Sequence, residues 1–171
     1  MGKPDNIENG IADVFLGFTG NHPLRMDNAL RIAIPAKFRE ALDRSSGDQP
    51  SQVYLLPDMG KVKVLPQPAF QTVKQHLEQL SPFDPNSEDL RTFIFGNMAV
   101  CVLDAQNRIR LTPGLCEMAG LEKEVVVVGK QDQMEIWDAA KWKEFNAATS
   151  KNLREVMGQV FRSRQTASGG Q

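Results

Sequence analysis

Apolar positions in this chain fall into short runs with two different periods. Runs that alternate, or that are apolar throughout, predict strands at 14–18, Arg31 to Ile34, Val53 to Leu56, Val62 to Leu65, 97–103, Arg108 to Leu111, Glu124 to Val128 and Met134 to Trp137. The stretch 23–34 as a whole reads as a hairpin-like element around Asp27 to Leu30. Other runs have helical spacing. Phe70, Val73, Leu77 and Leu80 share one face of a helix that starts at Pro68. Pro35 suits the first turn of a short helix, Ala36 to Leu42, because it lacks the N–H that would be unpaired there. Thr112 and Pro113 open a similar helix, which Gly120 can close. Ser87 can cap a helix with Glu88 and Asp89 in its first turn. Asp138 can cap a last helix with Trp142 and Phe145 inward, and Leu153, Val156, Met157 and Val160 carry its apolar stripe to about Phe161. Ser45 to Pro50 reads as a loop, and Ser81 to Asn86, with two prolines, as a linker.

The pattern occurs twice. Asp27-Asn28-Ala29-Leu30-Arg31-Ile32 is echoed by Asp104-Ala105-Gln106-Asn107-Arg108-Ile109, and each is followed by a proline, Pro35 or Pro113. Phe18 falls on Phe95 and Glu40 on Glu117. After a gap, Val53 to Leu56 lies on Val125 to Val128, Val62 to Leu65 on Met134 to Trp137, and Phe70 on Trp142. An echo of this length means that one supersecondary unit was duplicated. Two copies make a pseudo-two-fold pair rather than a solenoid. The expected segments are a first repeat at 14–66, connecting helices and linker at 67–94, a second repeat at 95–138, a C-terminal helix at 139–164, and flexible tails at 1–13 and 165–171. Each half is near the lower size limit of an independent domain, so the halves are expected to share a core. Short strands interleaved with short helices place the fold in the α+β class. Strands this short make no stable sheet alone, and intertwining of the two copies would solve that.

Charge narrows the possible partners. Net charge is −1 over 171 residues, so nucleic acid could be bound only through a local patch. Between His22 and Arg39 stand Arg25, Arg31, Lys37 and Arg39 against one acid, Asp27. A second basic stretch holds Lys151, Arg154, Arg162 and Arg164 against Glu155, and reads first as a solvated helix face. No apolar run approaches the ~20 residues that span a bilayer. The Met-Gly-Lys-Pro-Asp start has no apolar export segment, so a reducing cytosol and free thiols at Cys101 and Cys116 are expected. His22 and His76 have no partner at metal-ligand spacing, so no metal and no cofactor are expected. No catalytic arrangement of residues is visible, and neither enzyme activity nor a small-molecule substrate is expected.

The doubled Asp-x-x-x-Arg turn, the Val-rich strand Val125 to Val128 and the stretch Ile136-Trp137-Asp138 with Trp142 together resemble the MraZ family, over about Phe18 to Phe145. The resemblance implies two swapped-hairpin, AbrB-like β-subdomains with short helices in one compact unit. It implies a cytoplasmic, nucleoid-associated transcriptional regulator, acting as a ring-like homo-oligomer on double-stranded DNA. Its targets would be direct repeats upstream of the division and cell-wall gene cluster, its own promoter included. By resemblance Arg31 is the main DNA contact, with Asp27 and Asn28 in its turn; Arg108 and Asp104 match in the second copy, where Arg110 is the nearest further cation. The chain departs from the family's Asp-Ser-Lys-Gly-Arg turn, since Ala29 replaces Lys and Leu30 replaces Gly. Leu resists the positive φ that Gly allows, so a reshaped first turn is expected. Arg25, on the preceding strand, is the candidate to restore the lost charge, and Lys37 and His22 add to the basic surroundings of Arg31. Two roles are open for the arginines: contact with DNA, or an Asp–Arg pair that only holds the turn. The alternative function, motivated by Ala29 and Leu30, is an oligomeric scaffold that has lost specific DNA binding.

Overall fold

The computed structural model describes residues 17–47 and 50–168; the expectations for 1–16, for Asp48 and Gln49, and for 169–171 lie outside them. The first copy contains β1 (Asn21–Arg25), β2 (Arg31–Ala33), α1 (Ala36–Ser46), β3 (Gln52–Asp58), β4 (Lys61–Pro66) and α2 (Gln67–Glu78). Next comes α3 (Pro85–Asn97), followed by the second copy: β5 (Ala99–Val102), β6 (Arg108–Arg110), α4 (Pro113–Ala119), β7 (Glu124–Lys130) and β8 (Gln133–Asp138). One compact unit closes at Asp138, and α5 (Ala139–Lys151) with α6 (Leu153–Ser168) forms a second.

Six strands form one antiparallel sheet in the order β1-β7-β8-β4-β3-β5, and β2 pairs with β6 in a separate ribbon. Exchanging the copies turns that six-strand order into its own reverse. Only the β3·β4 and β7·β8 hairpins lie within a copy; the β1·β7, β3·β5, β4·β8 and β2·β6 ladders all join the two. The registers obey the same symmetry. Ile32 lies opposite its own repeat mate Ile109, and Lys63 opposite its mate Glu135, so both pairs straddle the pseudo-two-fold axis. The fold is therefore the α+β, intertwined-hairpin class that the duplication implied.

One face of the sheet and the ribbon enclose a core to which both copies contribute. It holds Ile32, Phe38, Leu42, Val53, Leu55, Val62 and Val64 from the first copy, and Ile109, Leu115, Val125, Val127, Met134 and Ile136 from the second. On the other face Phe70 of α2 stacks on Tyr54 at 3.9 Å between ring centroids, beside Leu56, Leu65 and Ala69. Glu135, buried there, accepts from Lys130 Nζ at 3.1 Å and Trp137 Nε1 at 3.0 Å, with Lys61 Nζ 3.3 Å away. These cations and hydrogen bonds outweigh burial, and they hold the carboxyl below its usual pKa. Gly129 lets the two copies meet closely: a Cβ there would lie 2.3 Å from the Phe18 carbonyl carbon.

Several local expectations hold. Thr112 Oγ1 accepts from Leu115 N–H at 3.2 Å, Pro113 is in the first turn of α4, and Gly120 ends that helix in the left-handed region at φ 59°. Val125 to Val127 are buried in β7. Others change. The helix after Pro35 reaches Ser46, so Ser45 and Ser46 leave the predicted loop. Asp84, not Ser87, caps α3; its carboxylate accepts from Asn86 N–H at 3.2 Å, and Ser87 is buried in the first turn, donating to it at 2.7 Å. α3 runs to Asn97, which places Phe95 on an exposed helix face while Phe18 is in the core, so that sequence match is not a structural one. The predicted strand at 97–103 shortens accordingly to β5. The strand before the first turn starts at Asn21 rather than at 23, and β1 carries Pro23 because an edge strand tolerates it. The single C-terminal helix is two, α5 and α6, and Leu153, Val156, Met157, Val160 and Phe161 form an exposed stripe along α6.

Two outcomes follow from this interlock. A fragment ending at Leu80 should show no cooperative urea transition by circular dichroism, whereas the full chain should show one. Ile32→Ala and Ile109→Ala should each cost about 2–5 kcal/mol in urea unfolding, and the double variant should be non-additive by more than about 0.5 kcal/mol; strict additivity would argue against the shared axis.

Candidate nucleic-acid interface

A carboxylate ties each Asp-x-x-x-Arg turn to its own backbone. In the first turn, Asp27 Oδ1 accepts the N–H groups of Ala29 and Arg31, each at 2.9 Å, and Oδ2 accepts Arg31 Nε at 2.8 Å. In the second, Asp104 Oδ1 accepts from Gln106 at 2.9 Å and Arg108 at 3.0 Å, and Oδ2 takes Arg108 Nε at 2.9 Å. The backbone closes both turns alike: Leu30 N–H donates to the Asp27 carbonyl at 3.0 Å, and Asn107 N–H to the Asp104 carbonyl at 2.8 Å.

The expected reshaping of the first turn does not occur. Leu30 has φ 59° and Asn107 has φ 57°, so the two turns share one conformation. Left-handed backbone costs a branched residue about 1–2 kcal/mol. The turn's hydrogen bonds oppose that cost, and so does the Leu30 side chain, which packs against the shared core.

The β2·β6 ribbon joins the turns, one at each end. Ile32 and Ile109 face the core, so Arg31, Ala33, Arg108 and Arg110 lie on the opposite, outward face. Arg31 stands directly across from Arg110. Like charges in that position repel, and they make a ready site for an anion. Asp27 is the one acidic residue paired with Arg31 among the described residues, and it is held through Nε. Arg108 is held more tightly. Its Nη1 lies 3.7 Å from Asp27 as well, and its side chain is 25% exposed against 38% for Arg31. Arg110 is exposed and has no ion-pair partner among the described residues.

The remaining candidates divide. Arg25 and Asn28 are exposed beside the first turn, and Arg25 Nη1 lies 3.2 Å from Glu124. Lys37 is drawn elsewhere: its Nζ donates to Thr19 Oγ1 at 3.0 Å, at the end of β1 away from the turn. His22 faces inward, with its ring edge-on to Phe38 at 4.8 Å, so it adds nothing to the basic surface. Lys151, Arg154 and Arg162 are exposed on α5 and α6. Lys123 escaped the sequence reading. Its carbonyl accepts Met26 N–H at 2.8 Å, and its side chain lines a groove with Arg25, Met26, Asp27 and Asn28. Only the cross-copy register of β1 with β7 brings it there. Among the described residues no group of three or more His, Cys, Asp or Glu could hold a metal ion, and no helix is long and apolar enough to cross a membrane.

Comparison with known proteins gives a consistent result. A family model described as "MraZ protein, putative antitoxin-like" matches residues 94–160. The transcriptional regulator MraZ of Nitrosospira multiformis is 36% identical over 126 residues, covering 73% of this chain and 84% of that protein. The protein of the same name from Nitrosomonas eutropha is 34% identical over 135 residues, covering 78% and 89%. A third, from Mycobacterium sp. strain KMS, is 34% identical over 152 residues, covering 82% and 99%.

The turns carry a pH signature. The backbone N–H of Arg31 lowers the Asp27 pKa most, joined by the Arg31 side chain and charge and by the Ala29 N–H, against some desolvation; Asp104 is lowered in the same way, by Arg108 first and then Gln106. A carboxyl with a depressed folded pKa stabilises fully above its unfolded value and loses that contribution as pH falls through the folded one. Both carboxyls should therefore titrate below about 3.9 by carbon-13 NMR, and Arg31→Ala should move Asp27 upward. Ordinary midpoints in the unaltered chain would refute the buttress.

Proposed function

Because the chain belongs to the MraZ family, we propose that it is a sequence-specific DNA-binding transcriptional regulator that works as a ring-like homo-oligomer. Its sites are direct repeats upstream of the division and cell-wall gene cluster, including its own promoter, and it resides in the cytoplasm with the nucleoid. Residues 14–66 and 95–138 are its two AbrB-like repeats, joined by 67–94 and followed by helical residues from 139.

The observation that carries this reading is the arginine-bearing outer face of the β2·β6 ribbon. The major groove of B-DNA, about 12 Å wide, admits a two-stranded ribbon, and an arginine fork can bridge O6 and N7 of guanine. Asp27 supports the reading by holding the Arg31 guanidinium through Nε, so that less side-chain freedom is lost on contact. With a net charge of −1, the patch must act locally. One chain offers few cations, so affinity comes from several copies on repeated sites, where effective concentration can add about 10² to 10⁴. The scaffold alternative lost one of its two motives when Leu30 kept the left-handed turn.

Gel shifts with the DNA upstream of its own gene test the reading. Binding should fall with salt at a slope of about −0.9 per phosphate neutralised. Arg31→Ala should weaken specific binding about 5- to 150-fold, the span of a 1–3 kcal/mol base contact, with the oligomer unchanged by light scattering. Unchanged affinity would remove Arg31 from the interface. An intact oligomer that shifts no DNA at low salt would favour the scaffold.

A further inference from the structure

We infer that a phosphate-binding groove flanks the first turn and that the second turn has none, so that each chain grips the DNA backbone at one of its two pseudo-equivalent turns. This deepens the DNA-binding reading above and rests on it. The groove, about 360 Å³, is lined by Arg25, Met26, Asp27, Asn28 and Lys123. Arg25 and Asn28 come from the first copy, and Lys123 from the residue before β7 of the second, brought in by the β1·β7 ladder. Lys123 is exposed and has no ion-pair partner among the described residues. Asp27 is in the groove, but its oxygens are taken up by the turn and Arg31.

The pseudo-two-fold supplies an internal comparison. The pair Arg25 and Glu124 in β1·β7 corresponds to Val102 and Gln52 in β3·β5. The Met26 N–H bond to the Lys123 carbonyl, at 2.8 Å, corresponds to the Leu103 N–H bond to the Ser51 carbonyl, at 3.2 Å. Arg25, Asn28 and Lys123 are thus replaced by Val102, Ala105 and Ser51 around the second turn. Val102 is 52% exposed, and the Ser51 hydroxyl donates to the carboxylate of Asp43. One backbone frame presents two cations and an amide on one side, and an apolar surface with an acid on the other.

The ligand that fits is a DNA phosphate. Lysine and arginine supply charge-assisted donors, Asn28 a neutral one, and the groove adjoins the turn that carries Arg31. Two carboxylates oppose the phosphate: Asp27, whose oxygens are taken up within the turn, and Glu124, through its 3.2 Å pair with Arg25. Arg25 and Glu124 are both well exposed, and such pairs are weak enough for a phosphate to displace. Equal half-sites would give the chain a preference for palindromic DNA, because operator symmetry mirrors protein symmetry. A single groove gives it a direction along the duplex instead.

The test uses the full chain in its oligomeric form, with fluorescence anisotropy over a salt series. The probes are a labelled duplex from upstream of its own gene and an unrelated duplex of equal length. Lys123→Ala should weaken both by a similar factor and flatten the salt slope by about 1 per engaged chain. Glu124→Gln should tighten binding to both, and Ser51→Ala should change neither. If Lys123→Ala and Glu124→Gln both match the unaltered chain while Arg31→Ala loses binding, the groove is refuted and the regulator reading stands. A loss in Ser51→Ala equal to that in Lys123→Ala would refute the asymmetry. Failure of the unaltered chain to bind either duplex at low salt overturns both readings.

Discussion

The described fold up to Asp138 depends on pairing between the two copies of the repeat. A copy by itself has one good hairpin, β3·β4 or β7·β8, and two orphan strands. Both orphans, β1 and β2 or β5 and β6, find partners only in the other copy. Ile32 against Ile109 marks where this is most constrained, since the two are fully buried and stand across the pseudo-axis from each other. A short strand can be stable there because its hydrogen bonds and its apolar face are both completed from elsewhere in the chain. Neither copy's core can be assembled without the other's.

The same interlock sets the chemistry of the surface. It places the two turns at opposite ends of one short ribbon, each with a left-handed residue, and turns their arginines outward. Each turn is buttressed by its own aspartate, so the guanidinium direction is built into the backbone rather than left to solvent. Duplication makes the frames equal, and the side chains then break the symmetry. Arg108 is restrained by two carboxylates, whereas Arg31 is restrained by one. Around the first turn the neighbours are cationic, and around the second they are Val102, Ala105 and Ser51. Family membership and the ribbon together favour DNA as the partner, and the asymmetry is the basis of the proposed one-sided contact.

Much of the fold was legible because its signals are local. The Thr112-Pro113 start and Gly120 stop of α4, the apolar run of β7 and the Asp–Arg turns each follow from residues a few positions apart. The errors were local as well. The strand before the first turn begins two residues ahead of Pro23, Asp84 outcompeted Ser87 as a cap because Pro85 fixed the first helical position, and Phe95 matched Phe18 in letter but fell on a helix. Leu30 shows a different limit. Its intrinsic preference argued for a reshaped turn, but its packing and the hydrogen bonds of Asp27 held the left-handed conformation.

The sequence by itself determined the duplication, the α+β class, the family resemblance and the two arginine turns, because each is written in residue order and spacing. Tertiary structure alone decided which side chains share a surface. Arg31 meets Arg110, Lys123 meets Arg25 and Asn28, and Lys37 and His22 turn away from the turn they adjoin in sequence. The reason is that these neighbours belong to strands far apart in the chain. Their proximity is set by the register between copies, and a one-residue slip in that register would send every side chain to the other face.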